Sequence, residues 1–365
     1  VGASLAGFFQ GCRFQGCHPV LARFRRTASQ VAAFLMVWTV RAVFALSRAL
    51  GPARASATGG WLLRKLGPLT PQQRIARDNL RAAFPDKSDA ERAAILDEAW
   101  DSLGRTAGEY AHLATLFDYD ADNPDPGGRV EVSGTEYFEA LRDDGKPGII
   151  FSAHLANWEL PAICAQRYGL EATAVFRPPN DPAIAAVIHE IRSGTMGGLA
   201  ASMRGSAFSM HGVLENGGHL GMLIDQHFTR GVVIDFLGRQ AMANPVMAKF
   251  ARRFECPVHG VRVIRLPGHR FRLELTPALD LPRDAAGDID VEGAVRAMNA
   301  VVEGWVREHP GQWLWMHRRW RPKMVALALA AQTAAPSGPV DPEAEGDRPT
   351  SSSTQRDFPV PGKSV

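Results

Sequence analysis

The sequence predicts an α/β fold with a mostly parallel central sheet covered by helices. Short apolar runs bounded by Gly and Pro, such as Pro147-Gly148-Ile149-Ile150-Phe151, alternate through the middle of the chain with segments of helical apolar spacing. Such alternation is what parallel strands joined by covering helices require. At 365 residues and 45% hydrophobic content the chain can bury one large core, and length alone allows one domain or two.

Four stretches follow in order. Residues 1–22 are Gly-rich without a signal-peptide cleavage pattern and read as a disordered extension. Residues 23–50 read as a membrane-anchoring helix: Val31 to Leu46 is apolar except for Thr39 and Arg41, with Arg23, Arg25 and Arg26 before it and Arg48 after it. Its uninterrupted apolar run is shorter than the ~20 residues that span hydrocarbon, and a central Arg costs about 2.5–3.5 kcal/mol on insertion scales. A helix lying in or tilted into the cytoplasmic leaflet is therefore expected, with the arginines on anionic headgroups; a single span and a plain amphipathic helix packed on the catalytic domain are the alternatives. Residues 51–323 form the main domain, and the Pro- and Ser-rich residues 336–365 read as a disordered tail.

Within the main domain, Pro71 to Leu116 is helical in pattern, and Ser88-Asp89-Ala90-Glu91 is a capping box opening the second helix of that stretch. An acidic, Pro-rich loop through Gly128 marks a boundary. Then come a strand at 130–132, a helix at 135–142, a strand at 148–151, a helix at 155–168, a strand at 171–176, a helix at 181–193 and a strand at 219–224. Strands at 232–236, 257–265 and 270–276 extend the sheet, and a helix at 289–308 closes it.

The chemistry concentrates in Phe151-Ser152-Ala153-His154-Leu155-Ala156-Asn157-Trp158-Glu159, where a histidine leaves a strand end and a carboxylate returns five residues later. Within one straight helix the two side chains would stand about 140° apart at roughly 100° per residue, so they meet only if His154 precedes the helix and Glu159 turns back from its first turns. A neutral imidazole held by a carboxylate takes a proton from an alcohol. By itself the spacing is weak, because 11 His and 38 acidic residues give about one such pair by chance; His269 and Glu274, in an alternating strand pattern, are such an accident. Ser152, two residues before His154, lacks a Gly-flanked nucleophile elbow, so no acyl-enzyme is required.

Five segments in this order and spacing give the pattern meaning: His154 to Glu159, Phe176-Arg177-Pro178-Pro179-Asn180, Leu223-Ile224-Asp225-Gln226, Asp235-Phe236-Leu237-Gly238, and the Trp-rich Pro310 to Trp320. Together with Gln73 to Pro85 they resemble the late acyltransferases of lipid A biosynthesis, the lauroyl/myristoyl branch of the lysophospholipid acyltransferase superfamily, over about Arg23 to Lys323. The resemblance implies a glycerol-3-phosphate acyltransferase-like fold and acyl transfer from an acyl carrier protein thioester to a hydroxyl of a Kdo-bearing tetra-acyl lipid A precursor, at the cytoplasmic face of the inner membrane, without cofactor or metal. It implies His154 as general base, Glu159 as its orienting acid, and Arg177, Arg192, Asp225, Gln226 and Asn157 as substrate-binding residues, with Asp225 ordering arginine and Gln226 around phosphates. Asp225-Gln226 stands where the superfamily has a Glu-Gly-Thr-Arg type of motif, which argues against glycerolipid acylation. Backbone N–H groups of the helix after His154 are the expected oxyanion donors. The rivals are an acyl-CoA-dependent enzyme acting on another glycolipid or an aminolipid, and a non-catalytic lipid-binding protein on the same fold.

Composition bounds the remainder. Net charge is +3 and the cations are almost all Arg, which suits bidentate phosphate contacts and equally reflects a GC-rich genome. No nucleic-acid-binding motif is present. Cys12, Cys17, Cys164 and Cys256 have no metal-ligand spacing and read as reduced and inert. Three Trp beside Arg in Gln312 to Arg321 suit a membrane interface or a packed sheet edge equally.

Overall fold

The computed structural model describes residues 38–123, 127–179, 181–202 and 206–334. The expected extension 1–22, the first part of the expected membrane helix and the tail 336–365 lie outside them. The described part of that helix, α1 (38–50), is followed by α2 (Pro52–Leu66), α3 (Pro71–Ala83), α4 (Asp89–Glu109) and the single turn α5 (Leu113–Leu116). The capping box forms as expected: Ser88 Oγ accepts from the Glu91 N–H while the Glu91 carboxylate accepts from the Ser88 N–H. No helix among the described residues is long and apolar enough to cross a membrane.

The α/β core contains β1 (Val130–Ser133), α6 (Thr135–Asp143), β2 (Gly148–Ser152), α7 (Leu160–Arg167), β3 (Ala172–Phe176), α8 (Pro182–Ser193), β4 (Gly198–Ala201), α9 (Ser206–Glu215) and β5 (His219–Leu223). After it come β6 (Val232–Phe236), β7 (Arg239–Ala243), α10 (Val246–Phe254), β8 (Val258–Leu266), β9 (Arg270–Leu275), α11 (Val291–Glu308) and α12 (Pro322–Ala334). Seven strands form one sheet in the order β1-β9-β8-β2-β5-β3-β4, parallel except for the β8–β9 pair. The alternation on β2 divides the core: Ile149 and Phe151 enter one apolar cluster with Trp313 and Trp315, while Ile150 packs with the other, around Leu160 and Val261.

Two local expectations are corrected, and one unassigned segment is filled. The strand at 232–236 does not extend the main sheet but pairs antiparallel with β7 in a separate ribbon. The helix expected at 155–168 starts only at Leu160, because Ala156 is left-handed (φ 47°) and its N–H donates to the Gln312 carbonyl instead of a helical partner. The segment between α8 and β5, left unassigned by pattern, holds β4 and α9. A tertiary choice is also settled: Trp313, Trp315 and Trp320 are buried, and their indole N–H groups donate to Asp225, the Pro310 carbonyl and the Phe236 carbonyl. They pack the interior and do not face a membrane.

Candidate active site

Parallel register builds the site. Ser152 ending β2 pairs with Leu223 ending β5, so His154 and Asp225, each two residues further on, leave the sheet side by side. Ligands gather at such carboxyl ends of parallel strands. The His154 Nδ1 atom lies 2.7 Å from Asp225 Oδ1, and the His154 backbone N–H donates to Oδ2 at 2.9 Å. The Trp313 indole N–H donates to the same Oδ2 at 2.7 Å. Asp225 is fully buried. Burial alone would raise its pKa, but the adjacent His154 charge and the hydrogen bonds from His154 outweigh burial and hold the carboxyl well below its usual range. An ionised carboxylate on Nδ1 fixes that nitrogen as the N–H and leaves Nε2 with its lone pair free to accept a proton. The side-chain amide of Gln226, which is exposed, lies 3.2 Å from that Nε2.

The carboxylate on His154 is thus Asp225 and not Glu159. Glu159 accepts from Arg192 Nε at 3.0 Å and Arg192 NH2 at 2.6 Å, and from the Tyr110 hydroxyl at 3.0 Å. The physical reason lies in the loop. Beyond His154 the chain pairs with the Trp-rich segment: the His154 carbonyl accepts from the Leu314 N–H, and Leu155 bridges Trp313. The left-handed turn at Ala156 is pinned on its carbonyl by the Thr106 hydroxyl. This carries Glu159 away from the imidazole to the entrance of α7, facing Arg192 of α8. Burial lowers the pKa of Arg192, but the Glu159 charge more than offsets it, so the cation is secure. Burial and the Glu159 charge push the Tyr110 phenol far above its usual value, so it stays a donor.

Asn157 is a second correction. It is fully buried, its amide donates to Glu109 at 2.9 Å, and its carbonyl oxygen accepts the Glu159 N–H at 3.2 Å. Its side chain is thus spent on bracing the loop. Glu109 is clamped by the Arg265 guanidinium and by Ser56, and the opposition between burial and the Arg265 charge resolves in favour of the ionised form. Of the backbone N–H groups between His154 and α7, those of Ala156, Glu159 and Leu160 are already committed, to the Gln312 carbonyl, Asn157 Oδ1 and the Asn157 carbonyl. Arg177 stands exposed just past β3.

Beside His154 runs an apolar groove with a cavity volume of about 110 Å³, walled by Ile150, Ser152, Trp158, Val175, Phe176, Met222, Leu223 and Val261, with Glu159 and Arg192 in its lining. The Trp158 ring, 5.1 Å from the His154 ring, joins the two. Arg192 also lies over the Phe176 ring. From behind, the fully buried Arg319 donates to the carbonyls of Gln226 and Met242 and to Asn299 Oδ1, fixing the backbone of the Asp225–Gln226 turn; burial lowers its pKa to about 10, so it remains a cation. Cys164 and Cys256 are buried, with thiols pushed up by burial to about 12 and about 11, and are inert at neutral pH.

Pattern reading grouped His154, Asp225, Gln226, Glu159 and Arg192 correctly in one region but mismatched the pairs. It missed Glu109, the last residue of α4, and Tyr110 just after it, which carry no local signal. Trp313 was inside a recognised segment, yet nothing in its spacing shows that its indole reaches Asp225.

A histidine just past a strand end, a carboxylate on its Nδ1 and an adjoining apolar groove are the parts that acid–base chemistry beside an apolar ligand needs. The chain belongs to the bacterial lipid A biosynthesis acyltransferase family, whose model matches residues 22–322. It is 25% identical over 253 residues to the lipid A biosynthesis myristoyltransferase of Escherichia coli (strain K12), covering 67% of this chain and 73% of that one. Identity to a lipid A biosynthesis acyltransferase of Haemophilus influenzae is 23% over 255 residues, covering 67% and 74%. Lipid A biosynthesis acyltransferase 1 of Shigella flexneri is 25% identical over 253 residues, covering 67% and 73%. The protein is accordingly an acyltransferase.

Proposed function

We propose that the protein transfers a fatty acyl chain from an acyl carrier protein thioester to a hydroxyl of a Kdo-bearing tetra-acyl lipid A precursor, at the cytoplasmic face of the inner membrane. The observation that carries the reading is the Asp225 carboxylate on His154 Nδ1, which leaves Nε2, 3.2 Å from the exposed Gln226 amide, to act as the base beside the apolar groove. The acyl chain lies in the groove, with its thioester carbonyl toward Trp158 and His154. The acceptor hydroxyl displaces the Gln226 amide from Nε2, and His154 takes its proton as the oxygen attacks the thioester carbon. Asp225 stabilises the imidazolium, which then protonates the departing thiolate. The carbonyl oxygen becomes an oxyanion and then the carbonyl of the new ester, and the displaced Gln226 amide is a donor available to it. The Arg192–Glu159 pair keeps one charged, hydrogen-bonding position in an otherwise apolar lining. Exposed Arg177 at the end of β3 is available to an acceptor phosphate.

Membranes containing the protein, acyl carrier protein loaded with chains of graded length and the tetra-acyl precursor are to be assayed by mass spectrometry, with His154→Ala in parallel. An added acyl mass with the wild type alone is expected. Turnover with acyl-CoA instead, or with another lipid acceptor only, would replace this donor or acceptor, and no transfer from a folded, membrane-bound protein would leave a lipid-binding role.

A further inference from the structure

Helix α2 has two unlike sides. Its inner side is a seam of small residues against α4 so tight that a Cβ on Gly59 would fall 2.2 Å from the Gly104 carbonyl oxygen, and one on Gly108 equally close to the Ala55 oxygen. A seam this close fixes the rotation of α2 about its own axis. The outer side therefore faces out as a matter of packing, and it is apolar: Trp61, Leu62 and Leu66 are 60%, 40% and 52% exposed, and Leu69 in the following turn is 80% exposed. Trp61, Leu62, Lys65 and Leu66 recur at helical spacing on one side. In α1, Trp38, Val43 and Leu46 are exposed as well, and its C-terminal end is tied to α4 by Ser47 Oγ donating to the Gly108 carbonyl.

The segment itself carries only cations: no acidic residue precedes Asp78 in a sequence that has 38 of them, while Arg41, Arg48, Arg54, Arg64 and Lys65 fall between Trp38 and Leu69, Arg64 being paired with Asp97 of α4. Lysine among exposed Trp and Leu is depleted from protein–protein interfaces but is what an anionic bilayer surface selects, with rings and Leu side chains among the acyl chains and cations at headgroup depth.

We infer that the outer side of α2 and the turn after it, from Trp61 to Leu69, is a second membrane contact, inserting into the headgroup layer of an anionic bilayer independently of the segment before Trp38. It concerns how the body of the protein is held against lipid, whichever acceptor is acylated there.

The test uses the full chain with vesicles of phosphatidylethanolamine and phosphatidylglycerol, some brominated on the acyl chain, and reads tryptophan quenching. Comparison of the wild type with Trp61→Phe isolates the Trp61 emission, which is expected to be quenched and blue-shifted on the anionic vesicles. Leu66→Glu/Leu69→Glu, at exposed positions, is expected to keep the thermal melting curve and to partition about tenfold more weakly. Trp61 emission unquenched while the chain remains vesicle-bound would overturn the inference. So would unchanged partitioning of the double variant accompanied by loss of self-association in sedimentation, which would make the face a contact between copies. No acyl transfer is measured, so failure here is separate from failure of the proposed reaction.

Discussion

Asp225→Asn is the most informative single change, because three N–H donors converge on the two oxygens of Asp225. His154 Nδ1 meets one oxygen, while the His154 backbone N–H and the Trp313 indole share the other. An asparagine has only one oxygen to offer them. Its lower-cost orientation gives that oxygen to the two donors that cannot change, leaving its NH2 facing His154 Nδ1. The imidazole then shifts its proton to Nε2 so that Nδ1 can accept, and the atom that must deprotonate the acceptor hydroxyl is already protonated. General-base catalysis contributes about 10²–10⁴-fold, and a loss near 10³ corresponds to about 4 kcal/mol of transition-state stabilisation. The volume of the side chain is unchanged, so the fold should persist. Measured with saturating acyl thioester and lipid acceptor, kcat should fall about a thousandfold with KM nearly constant, while circular dichroism and Tm stay close to wild type. If Asp225→Asn keeps activity within about tenfold of wild type while Glu159→Gln abolishes it, the assignment of Asp225 as the orienting carboxylate is wrong.

Three further outcomes follow from the same geometry. Arg192→Ala strands the buried Glu159 carboxylate with only the Tyr110 hydroxyl and should destabilise by about 3–5 kcal/mol; denaturant titration should show Glu159→Gln/Arg192→Met recovering more than half of it. His317 is half-buried, and desolvation lowers its pKa to about 4, so between pH 6.5 and 4 the unfolded chain binds a proton that the folded one refuses. Stability should therefore fall by up to about 3 kcal/mol as pH drops through that window, a slope that His317→Asn should remove in pH-dependent denaturant melts. Gly221 lines the groove, and a Cβ there meets nothing within 4 Å; Gly221→Leu should fill the space and lower kcat/KM for the longest acyl donors about tenfold relative to shorter ones in a donor competition assay.

The sequence by itself determined the strands that carry the site, because short apolar runs and Gly/Pro boundaries are local: β2, β3 and β5 fall on the apolar stretches around Ile149, Val175 and Leu220. It also determined which residue types the chemistry could use, since His154, Asp225 and Gln226 each follow a readable strand end. What only the tertiary structure decided is who touches whom. Glu159 is five residues from His154 along the chain and Asp225 is 71 away, yet the parallel pairing of Ser152 with Leu223 brings the distant acid to the ring. The left-handed Ala156, held by Gln312 and Thr106, sends the near one to Arg192. Strand formation depends on neighbours in sequence, whereas register depends on which apolar faces must be buried together, and that is a property of the whole core.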